Sequence, residues 1–272
     1  MSLGRKAGSL FVVAAALAAG ACSASSVAGP GQAGQVRLNV FAAASLSRVF
    51  PDVAREFAQS RPGVNVAFSF AGTDALVAQI EHGAPADIFA GASAAYGDQL
   101  FAEHLVGRPA PLCTNRLVVV LPPSNPGGIH SLRDLARPGV KLVIGAETVP
   151  VGTYTRKVLQ NLDALYGGAY ASAALANVVS NEDNVEGVLT KVRLGEADAG
   201  FVYVTDARNA GQEVSVLTLP SEAQAVATYP IAVVASTHHE TLAAAFVDFV
   251  LEAEGQQILA RAGFGPPPAA MP

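Results

Sequence analysis

The sequence predicts an α/β protein built as two lobes, each a mostly parallel sheet flanked by helices. Short apolar segments typical of strands alternate with longer segments whose apolar residues recur at helical spacing, as in sheets covered by helices on both faces. One segment also has an internal counterpart: IEHGAPADIFAG at residues 80–91 and VRLGEADAGFVY at residues 192–203 both run from a helix end through Gly and Ala-Asp into an apolar strand. This shared plan indicates two similar lobes.

The first lobe is predicted from a βαβαβ pattern. Its first helix contains Pro51, which is compatible with a helix start, and the segment VNVAFSF alternates as a half-buried strand does. The predicted elements, in order, are a strand over residues 36–44, a helix over 46–59, a strand over 64–70, a helix over 75–82 and a strand over 87–90.

The second set of elements begins with the continuous apolar run LVVVL at residues 117–121, which is typical of a central strand. The run ends at Pro122 and Pro123, which cannot extend a ladder, so the chain is expected to change direction there. Further helices are predicted over residues 131–136, 154–166, 185–194 and 239–262, and further strands over 140–144, 200–204, 214–219 and 231–235. The last helix is expected to be one long element that ends at Gly263.

Composition and charge exclude several classes of protein. The 272 residues are 51% hydrophobic and 14% charged, which excludes a disordered polymer and allows a sizeable core. The formal net charge is -5, and the first 21 residues hold two bases and no acid, so the rest carries 15 basic against 22 acidic groups. A nucleic-acid binder needs a basic surface, which this chain lacks.

Residues 1–21 are predicted to be an export signal peptide. Arg5 and Lys6 precede an apolar stretch, residues 10–19, that is too short to span a bilayer, and small residues follow up to Cys22. The sequence LAAGAC resembles a bacterial lipobox, in which Cys22 would receive lipid, although Ala19 replaces the favoured Leu. The alternative is an ordinary cleaved signal in which Cys22 is incidental.

Both ends of the mature chain are expected to lie outside the folded body. Residues 22–35 are small, polar and rich in Gly and Pro, as flexible tethers are, and residues 265–272 are expected to form a disordered tail. Cys113 is the one cysteine after Cys22, so no intrachain disulfide is expected, and a small buried apolar role is predicted for it. After the signal, no apolar run reaches the roughly 18 residues that a membrane helix needs.

Motifs of nucleotide binding and hydrolysis are missing from the sequence. No G-x-G-x-x-G lies at a strand-to-helix turn, and the P-loop, G-x-S-x-G and H-E-x-x-H patterns do not occur. The adjacent His238 and His239 are expected to start the last helix in solvent, since neighbouring residues on a helix point apart. Ligand binding without turnover is therefore the simplest interpretation.

Small and polar residues follow several predicted strands, at the edge of the sheet where ligands of open α/β sheets bind. Ser45 and Thr73 each precede a helix, so their hydroxyls and the nearby N–H groups offer donors to an anion. Residues 149–153, Val185 and Tyr203 occupy comparable places in the second lobe. The alternative is that Ser45 and Thr73 are N-caps and that Tyr203 is a half-buried strand aromatic with its hydroxyl at the rim.

Seven short blocks resemble, in order, the periplasmic molybdate-binding proteins of molybdate ABC transporters. The blocks are FAAASL (41–46), FAGTDAL (70–76), GAPADIFAGAS (83–93), VPVGTY (149–154), EDNVEGVL (182–189), GFVYVTDA (200–207) and YPIAVV (229–234). The resemblance spans residues 36–264 and implies a two-lobed periplasmic-binding-protein (Venus-flytrap) fold with two hinge strands. Lobe I would comprise residues 36–117 and 231–264, and lobe II would comprise residues 118–230.

The resemblance also implies what the cleft binds. Molybdate and tungstate are fully deprotonated near neutral pH, so their oxygens only accept hydrogen bonds, which hydroxyls and helix N-termini donate without a counter-charge. The resemblance implies neither a cofactor nor an enzyme activity. The implied protein partner is an ABC permease, and a lipid anchor would hold the chain at the extracytoplasmic face of the membrane. The chain is expected to act as a monomer. The implied contacts to the oxyanion are the Ser45 hydroxyl, the Thr73 hydroxyl and N–H, the Val151 and Val185 N–H groups and the Tyr203 hydroxyl.

Two positions depart from the family pattern and leave other functions open. Thr73 stands where many members have Ser, and Asp74 stands where many have a neutral residue. Asp74 either interacts with the first turn of its own helix or accepts a proton from a protonated oxyanion such as hydrogen phosphate, which would change the substrate. A second hypothesis is therefore a receptor for another oxyanion such as phosphate or sulfate. A third hypothesis is an exported enzyme that acts on a small anion, with Asp74, Asp206 or Glu182 as acid or base.

Overall fold

The computed structural model describes residues 36–268, so the predicted signal peptide, Cys22, the tether and residues 269–272 lie outside the described residues. The described residues form ten strands: β1 (Val36–Ala43), β2 (Val64–Ala71), β3 (Ile88–Ala90), β4 (Ala110–Asn115), β5 (Leu117–Leu121), β6 (Leu142–Gly145), β7 (Val178–Glu182), β8 (Ala199–Tyr203), β9 (Ser215–Thr218) and β10 (Ala227–Val233). They also form nine α-helices: α1 (Phe50–Gln59), α2 (Thr73–Glu81), α3 (Ala94–Ala102), α4 (Pro150–Tyr166), α5 (Tyr170–Ala176), α6 (Val185–Arg193), α7 (Val204–Ala210), α8 (Glu240–Leu251) and α9 (Ala253–Ala262).

The ten strands divide equally between two sheets. The strands of the first sheet lie in the order β2-β1-β3-β10-β4, and those of the second lie in the order β7-β6-β8-β5-β9. β1 is parallel to β2 and β3, and β6 is parallel to β7 and β8, whereas β10 and β5 are antiparallel to both of their neighbours. All strands of a sheet except one therefore point the same way, but that strand lies between two others, so half of the pairings in each sheet are antiparallel. The sheets are mixed, where mostly parallel sheets were predicted.

The chain passes between the two sheets at two places. β4 lies in the first sheet and β5, separated from it by Arg116 alone, lies in the second; the return runs from β9 to β10. Helices α1, α2 and α8 contact strands of the first sheet, and α4 and α6 contact strands of the second. The predicted fold class is thus observed: two lobes, each a sheet with its helices, joined by two connections. The return reaches the first sheet at Ala227, ahead of the expected boundary at residue 231.

The core is apolar and continuous through the central strands. Every residue of β5 and β8 is buried, as expected for strands covered on both faces. In the first lobe, the Phe246 ring of α8 packs edge-to-face against Phe50 and Phe57 of α1. Cys113 is fully buried, as predicted, and burial raises the pKa of its thiol well above the usual value.

The predicted single helix over residues 239–262 is wrong. α8 ends at Leu251, Glu252 is extended with φ -77° and ψ 171°, and α9 follows. Gly255 lets the two helices fold against each other, because a Cβ at that position would lie 2.5 Å from the Cα of Val250. A pattern of apolar spacing cannot show such a break, since both halves remain amphipathic helices.

The expected disorder of the C-terminal tail does not begin at Gly265. The Thr114 N–H donates to the Gly265 carbonyl at 3.0 Å, and the Gly265 N–H donates back to the Thr114 carbonyl at 2.9 Å. The Thr114 hydroxyl also donates to the Pro266 carbonyl at 2.9 Å. β4 is an edge strand whose outer N–H and C=O groups are free to pair, and the chain after α9 uses them.

Candidate functional site

A small cavity lies at the carboxyl ends of six strands, where open α/β sheets bind ligands. Together with the space that is open to solvent at its mouth, it measures about 210 Å³, and its walls come from the segments after β1, β2 and β3 in one lobe and at the ends of β6, β7 and β8 in the other. All five predicted contact residues are among those that line it: Ala43, Ala44, Ser45, Ala71, Gly72, Thr73, Ala92, Val149, Pro150, Val151, Asn184, Val185 and Tyr203.

Small residues let the main chain approach closely at this cavity. At Gly72, a Cβ would collide with the carbonyl oxygen of Asp183, which belongs to the other lobe. At Gly152, in the first turn of α4, a Cβ would collide with the carbonyl oxygen of Ala146. Because only glycine lacks this atom, both close approaches depend on glycine, and the main chain itself forms part of the cavity wall.

Three helices begin at the cavity. They are α2 at Thr73, α4 at Pro150 and α6 at Val185. N–H groups in the first turn of a helix have no acceptor within that helix and carry the positive end of the helix dipole. The N–H groups of Thr73, Val151 and Val185 belong to these first turns. Their convergence favours a negative ligand without any positively charged side chain.

The Ser45 hydroxyl is buried and does not cap a helix. Ser45 is 4% exposed and lies in a short 3-10 turn, Ala44–Leu46, that has no side-chain cap. Its Oγ lies 2.8 Å from the hydroxyl oxygen of Tyr229, which belongs to β10. The N-cap interpretation of Ser45 is therefore wrong, and its hydroxyl is shared between Tyr229 and the cavity.

Thr73 is not an N-cap either. It is the first residue of α2, and Gly72 occupies the cap position. Thr73 is 1% exposed, and its Oγ1 accepts a hydrogen bond of 3.0 Å from the Ala92 N–H. Because that bond uses a lone pair of the oxygen, the hydroxyl hydrogen stays available to an acceptor in the cavity.

The Tyr203 hydroxyl is a buried donor without a partner. The residue is 1% exposed, which contradicts the alternative of a half-buried aromatic with its hydroxyl at the rim, and its oxygen has no hydrogen bond to any described residue. Burial, and next the nearby Tyr229 hydroxyl, raise the pKa of Tyr203 well above its usual value, so it keeps its hydrogen at neutral pH. Buried polar groups almost always have a partner, so this hydroxyl marks a place for an acceptor.

The polar groups at these positions form a neutral donor site. None of the residues that line the cavity is charged. The Asn184 side-chain oxygen is already used, since it accepts the Gly187 N–H at 3.1 Å as the N-cap of α6. Such a site suits a small anion whose oxygens all accept hydrogen bonds. Between residues 36 and 268, no group of three or more His, Cys, Asp and Glu side chains is arranged to hold a metal ion, and no helix is long and apolar enough to cross a membrane.

The three acids considered for catalysis, Asp74, Asp206 and Glu182, do not line the cavity. Asp74 Oδ2 accepts a hydrogen bond of 2.8 Å from the Thr148 hydroxyl, and Glu182 forms an ion pair of 3.0 Å with Lys191. Both carboxylates thus have a partner outside the site, although Asp74 Oδ1 is buried without a hydrogen bond to any described residue.

Asp206 supports Tyr203 through the main chain. It is 1% exposed, and its Oδ2 accepts the Tyr203 N–H at 3.0 Å. Burial raises the pKa of the Asp206 carboxyl well above its usual value, and the nearby Glu186 acts in the same direction. This contact fixes the end of β8, from which the Tyr203 side chain reaches the cavity.

Two groups of the site were not expected from the sequence. One is the Ala92 N–H that holds Thr73, and the other is the Tyr229 hydroxyl that holds Ser45. Ala92 acts through its main chain, which residue type does not reveal. Tyr229 lies in the block YPIAVV but is 184 positions from Ser45, and no local pattern links the two.

Comparisons with known proteins agree with the geometry. The sequence profile of the bacterial extracellular solute-binding proteins matches residues 38–265. The molybdate-binding protein ModA of Mycobacterium tuberculosis is 41% identical over 261 residues, covering 95% of this chain and 96% of that protein, and ModA of Escherichia coli is 33% identical over 261 residues, covering 91% and 96%. The structure of the periplasmic molybdate-binding protein of Azotobacter vinelandii shares the fold, with a TM-score of 0.73 and 22% identity over 85% of this chain and 99% of that one. The chain therefore belongs to the bacterial extracellular solute-binding protein family.

Proposed function

We propose that the chain is an extracytoplasmic receptor that captures molybdate, and also tungstate, between its two lobes and delivers it to an ABC permease. The buried Tyr203 hydroxyl carries this proposal, because it is a donor without a partner at a cavity where helix N-termini converge. The relatives at 41% and 33% identity, both molybdate-binding proteins by name, support the choice of anion.

The proposed contacts come from both lobes. Ser45 and Thr73 donate from the first lobe, while Tyr203 and the N–H groups of Val151 and Val185 donate from the second. All of these groups donate, and all four oxygens of molybdate only accept, so the chemistry of the two partners matches. A ligand that touches both lobes favours their closed arrangement by its higher affinity for that state, and closure is the signal that a permease can read.

We propose binding without turnover. The chain belongs to a solute-binding family, and the acids considered for catalysis lie outside the cavity lining. Sulfate, which is fully deprotonated, shares the acceptor chemistry of molybdate but is smaller. Hydrogen phosphate carries a proton that needs an acceptor, and no carboxylate lines the cavity to supply one.

We also propose that the receptor acts as a monomer and is held at the membrane through lipid on Cys22 and the tether that follows. Replacing the cysteine, Cys22→Ser, is expected to release the protein from the membrane fraction without changing its affinity for molybdate. Release without loss of binding separates the anchor from the receptor, and membrane retention of the variant would contradict the anchor.

Calorimetric titration of the purified full chain in detergent with molybdate, tungstate, sulfate and phosphate tests the ligand. One-to-one binding of molybdate and tungstate, with far weaker binding of the other two, is the expected result. Preference for phosphate would contradict the proposal and make Asp74 a candidate ligand. Preference for sulfate would keep the donor site but change its cargo.

A further inference from the structure

The Tyr229 hydroxyl stands directly behind one of the proposed ligand contacts. Its oxygen lies 2.8 Å from Ser45 Oγ, and both residues are buried, with Tyr229 at 0% and Ser45 at 4% exposure. Tyr229 does not line the cavity, so it acts on a ligand through the residues in front of it: Ser45, and Tyr203, whose hydroxyl lies nearby.

The Tyr229 ring is held firmly in place. It packs edge-to-face against Phe264 at 5.6 Å and against Tyr203 at 6.0 Å between ring centroids. The residue lies in β10, which pairs with β3 and β4 in the first sheet. With the ring fixed by strand and aromatic neighbours, the position of its hydroxyl oxygen relative to Ser45 is fixed as well.

Each of the two hydroxyls has a single hydrogen, which leaves two arrangements. In one, Tyr229 donates to Ser45 Oγ, and the Ser45 hydrogen points to another acceptor. In the other, Ser45 donates to Tyr229 and presents only a lone pair to the cavity. The first arrangement suits a ligand that only accepts, whereas the second suits a ligand that brings a proton of its own.

We propose that Tyr229 is a positioning residue that determines specificity. Because Tyr229 donates to Ser45 Oγ, the hydroxyl hydrogen of Ser45 points into the cavity, which favours fully deprotonated oxyanions over protonated ones. The inference rests on the proposed function and extends it from the ligand contacts to the basis of selectivity. Burial raises the pKa of the Tyr229 hydroxyl well above its usual value, which keeps the hydrogen on Tyr229 at neutral pH.

The substitution Tyr229→Phe removes the hydroxyl and keeps the ring. Ser45 can then rotate and either donate or accept, so molybdate binding is expected to weaken about 3- to 10-fold, the equivalent of one ordinary hydrogen bond. Hydrogen phosphate can use the freed lone pair, so its binding is expected to weaken less than that of molybdate, or to strengthen. The ratio of the sulfate affinity to the phosphate affinity, measured by competition at pH 8, is expected to fall. This ratio distinguishes an effect of the proton that the ligand carries from an effect of the ligand's size.

The matched control is Tyr170→Phe. Tyr170 is also buried, and its hydroxyl donates a hydrogen bond to the Leu132 carbonyl, so this substitution also removes a hydrogen-bonded hydroxyl. Unlike Tyr229, Tyr170 lies away from the cavity. This variant is expected to lose stability and to keep the anion selectivity of the native chain. Equal losses for molybdate and phosphate in Tyr229→Phe, or no change in either, would overturn the proposal.

Neutron diffraction from a deuterated crystal of the native chain with molybdate tests the same claim without a variant. A deuterium on the Tyr229 oxygen that points to Ser45 supports it, and a deuterium on Ser45 Oγ that points to Tyr229 overturns it. Failure of the native chain to bind molybdate would instead contradict the proposed function, which the native titration shows separately.

Discussion

The Thr148 hydroxyl donates a hydrogen bond of 2.8 Å to Asp74 Oδ2 and thereby joins the two lobes next to the cavity. Asp74 lies in the first turn of α2, and Thr148 lies just before α4. The Tyr96 hydroxyl of α3 adds a second bond, of 2.5 Å, to the Thr148 carbonyl. The carboxylate that departs from the family pattern thus has a donor of its own across the cleft, in line with its absence from the cavity lining.

Removal of this contact is expected to loosen the closed arrangement. In Asp74→Ala, the molybdate dissociation rate should rise about 2- to 10-fold, the equivalent of one partly exposed hydrogen bond, with little change in the association rate. Stopped-flow displacement measures both rates. Asp74→Asn retains an acceptor oxygen for Thr148 and should behave almost like the native chain. An unchanged dissociation rate in Asp74→Ala would show that the contact does not contribute to closure.

Tyr203→Phe is expected to weaken molybdate binding by about 0.5–3 kcal/mol while leaving the ligand-free protein at least as stable as before. The hydroxyl has no partner in the described structure, so its loss breaks no bond there but deprives one ligand oxygen of a donor. Calorimetry gives the affinity, and thermal unfolding without ligand gives the stability. Native affinity in this variant would remove Tyr203 from the proposed site.

Gly72→Ala is expected to weaken molybdate binding at least about tenfold without unfolding the lobes. The added Cβ collides with the Asp183 carbonyl oxygen of the other lobe, so the lobes cannot approach as closely. Gly168→Ala is the matched control, because a Cβ there meets no atom within 4 Å. Small-angle scattering with and without molybdate should show compaction in the control but not in Gly72→Ala, and compaction of both would contradict the prediction.

Asp206 makes stability depend on pH. Burial raises its pKa in the folded state above the ordinary value of 3.8, so the folded protein holds a proton that the unfolded chain releases. Stability therefore falls as pH rises from about 4 toward the raised pKa. Asp206→Asn has no such proton, so its stability relative to the native chain should increase with pH, by up to about 1.4 kcal/mol per pH unit. A difference between the two unfolding profiles that is independent of pH would contradict this.

Local chemistry made much of the fold predictable. The alternation of apolar segments with amphipathic ones correctly gives both sheets and most helices, because each element must bury one face. β4 and β7 were not predicted: β4 contains Pro111 and lies at an edge, and β7, VVSNE, has few apolar residues. Pairing with β10 and β6 stabilises these strands, and such pairing is set by the tertiary fold.

The part of the site that consists of strand ends, helix starts and small residues was predictable from the sequence. The part that depends on partners far away in the sequence was less so. Ser45, Thr73 and Tyr203 follow strands, and the structure brings them to one cavity. Their supports come from elsewhere in the chain: the Ala92 N–H binds Thr73, and Tyr229 contacts Ser45. A single sequence shows which groups can donate a hydrogen bond, whereas the folded chain decides which partners they have.

Anomalous diffraction from a tungstate-soaked crystal tests the central claim most directly, because tungsten marks the bound oxyanion by its own signal. We expect one strong peak in the cavity, with oxygens about 2.7–3.1 Å from the hydroxyl oxygens of Ser45, Thr73 and Tyr203 and from the main-chain nitrogens of Val151 and Val185. A peak elsewhere, such as among the arginines of the open groove between α1 and α9, with none in the cavity, would contradict a neutral-donor site for oxyanions.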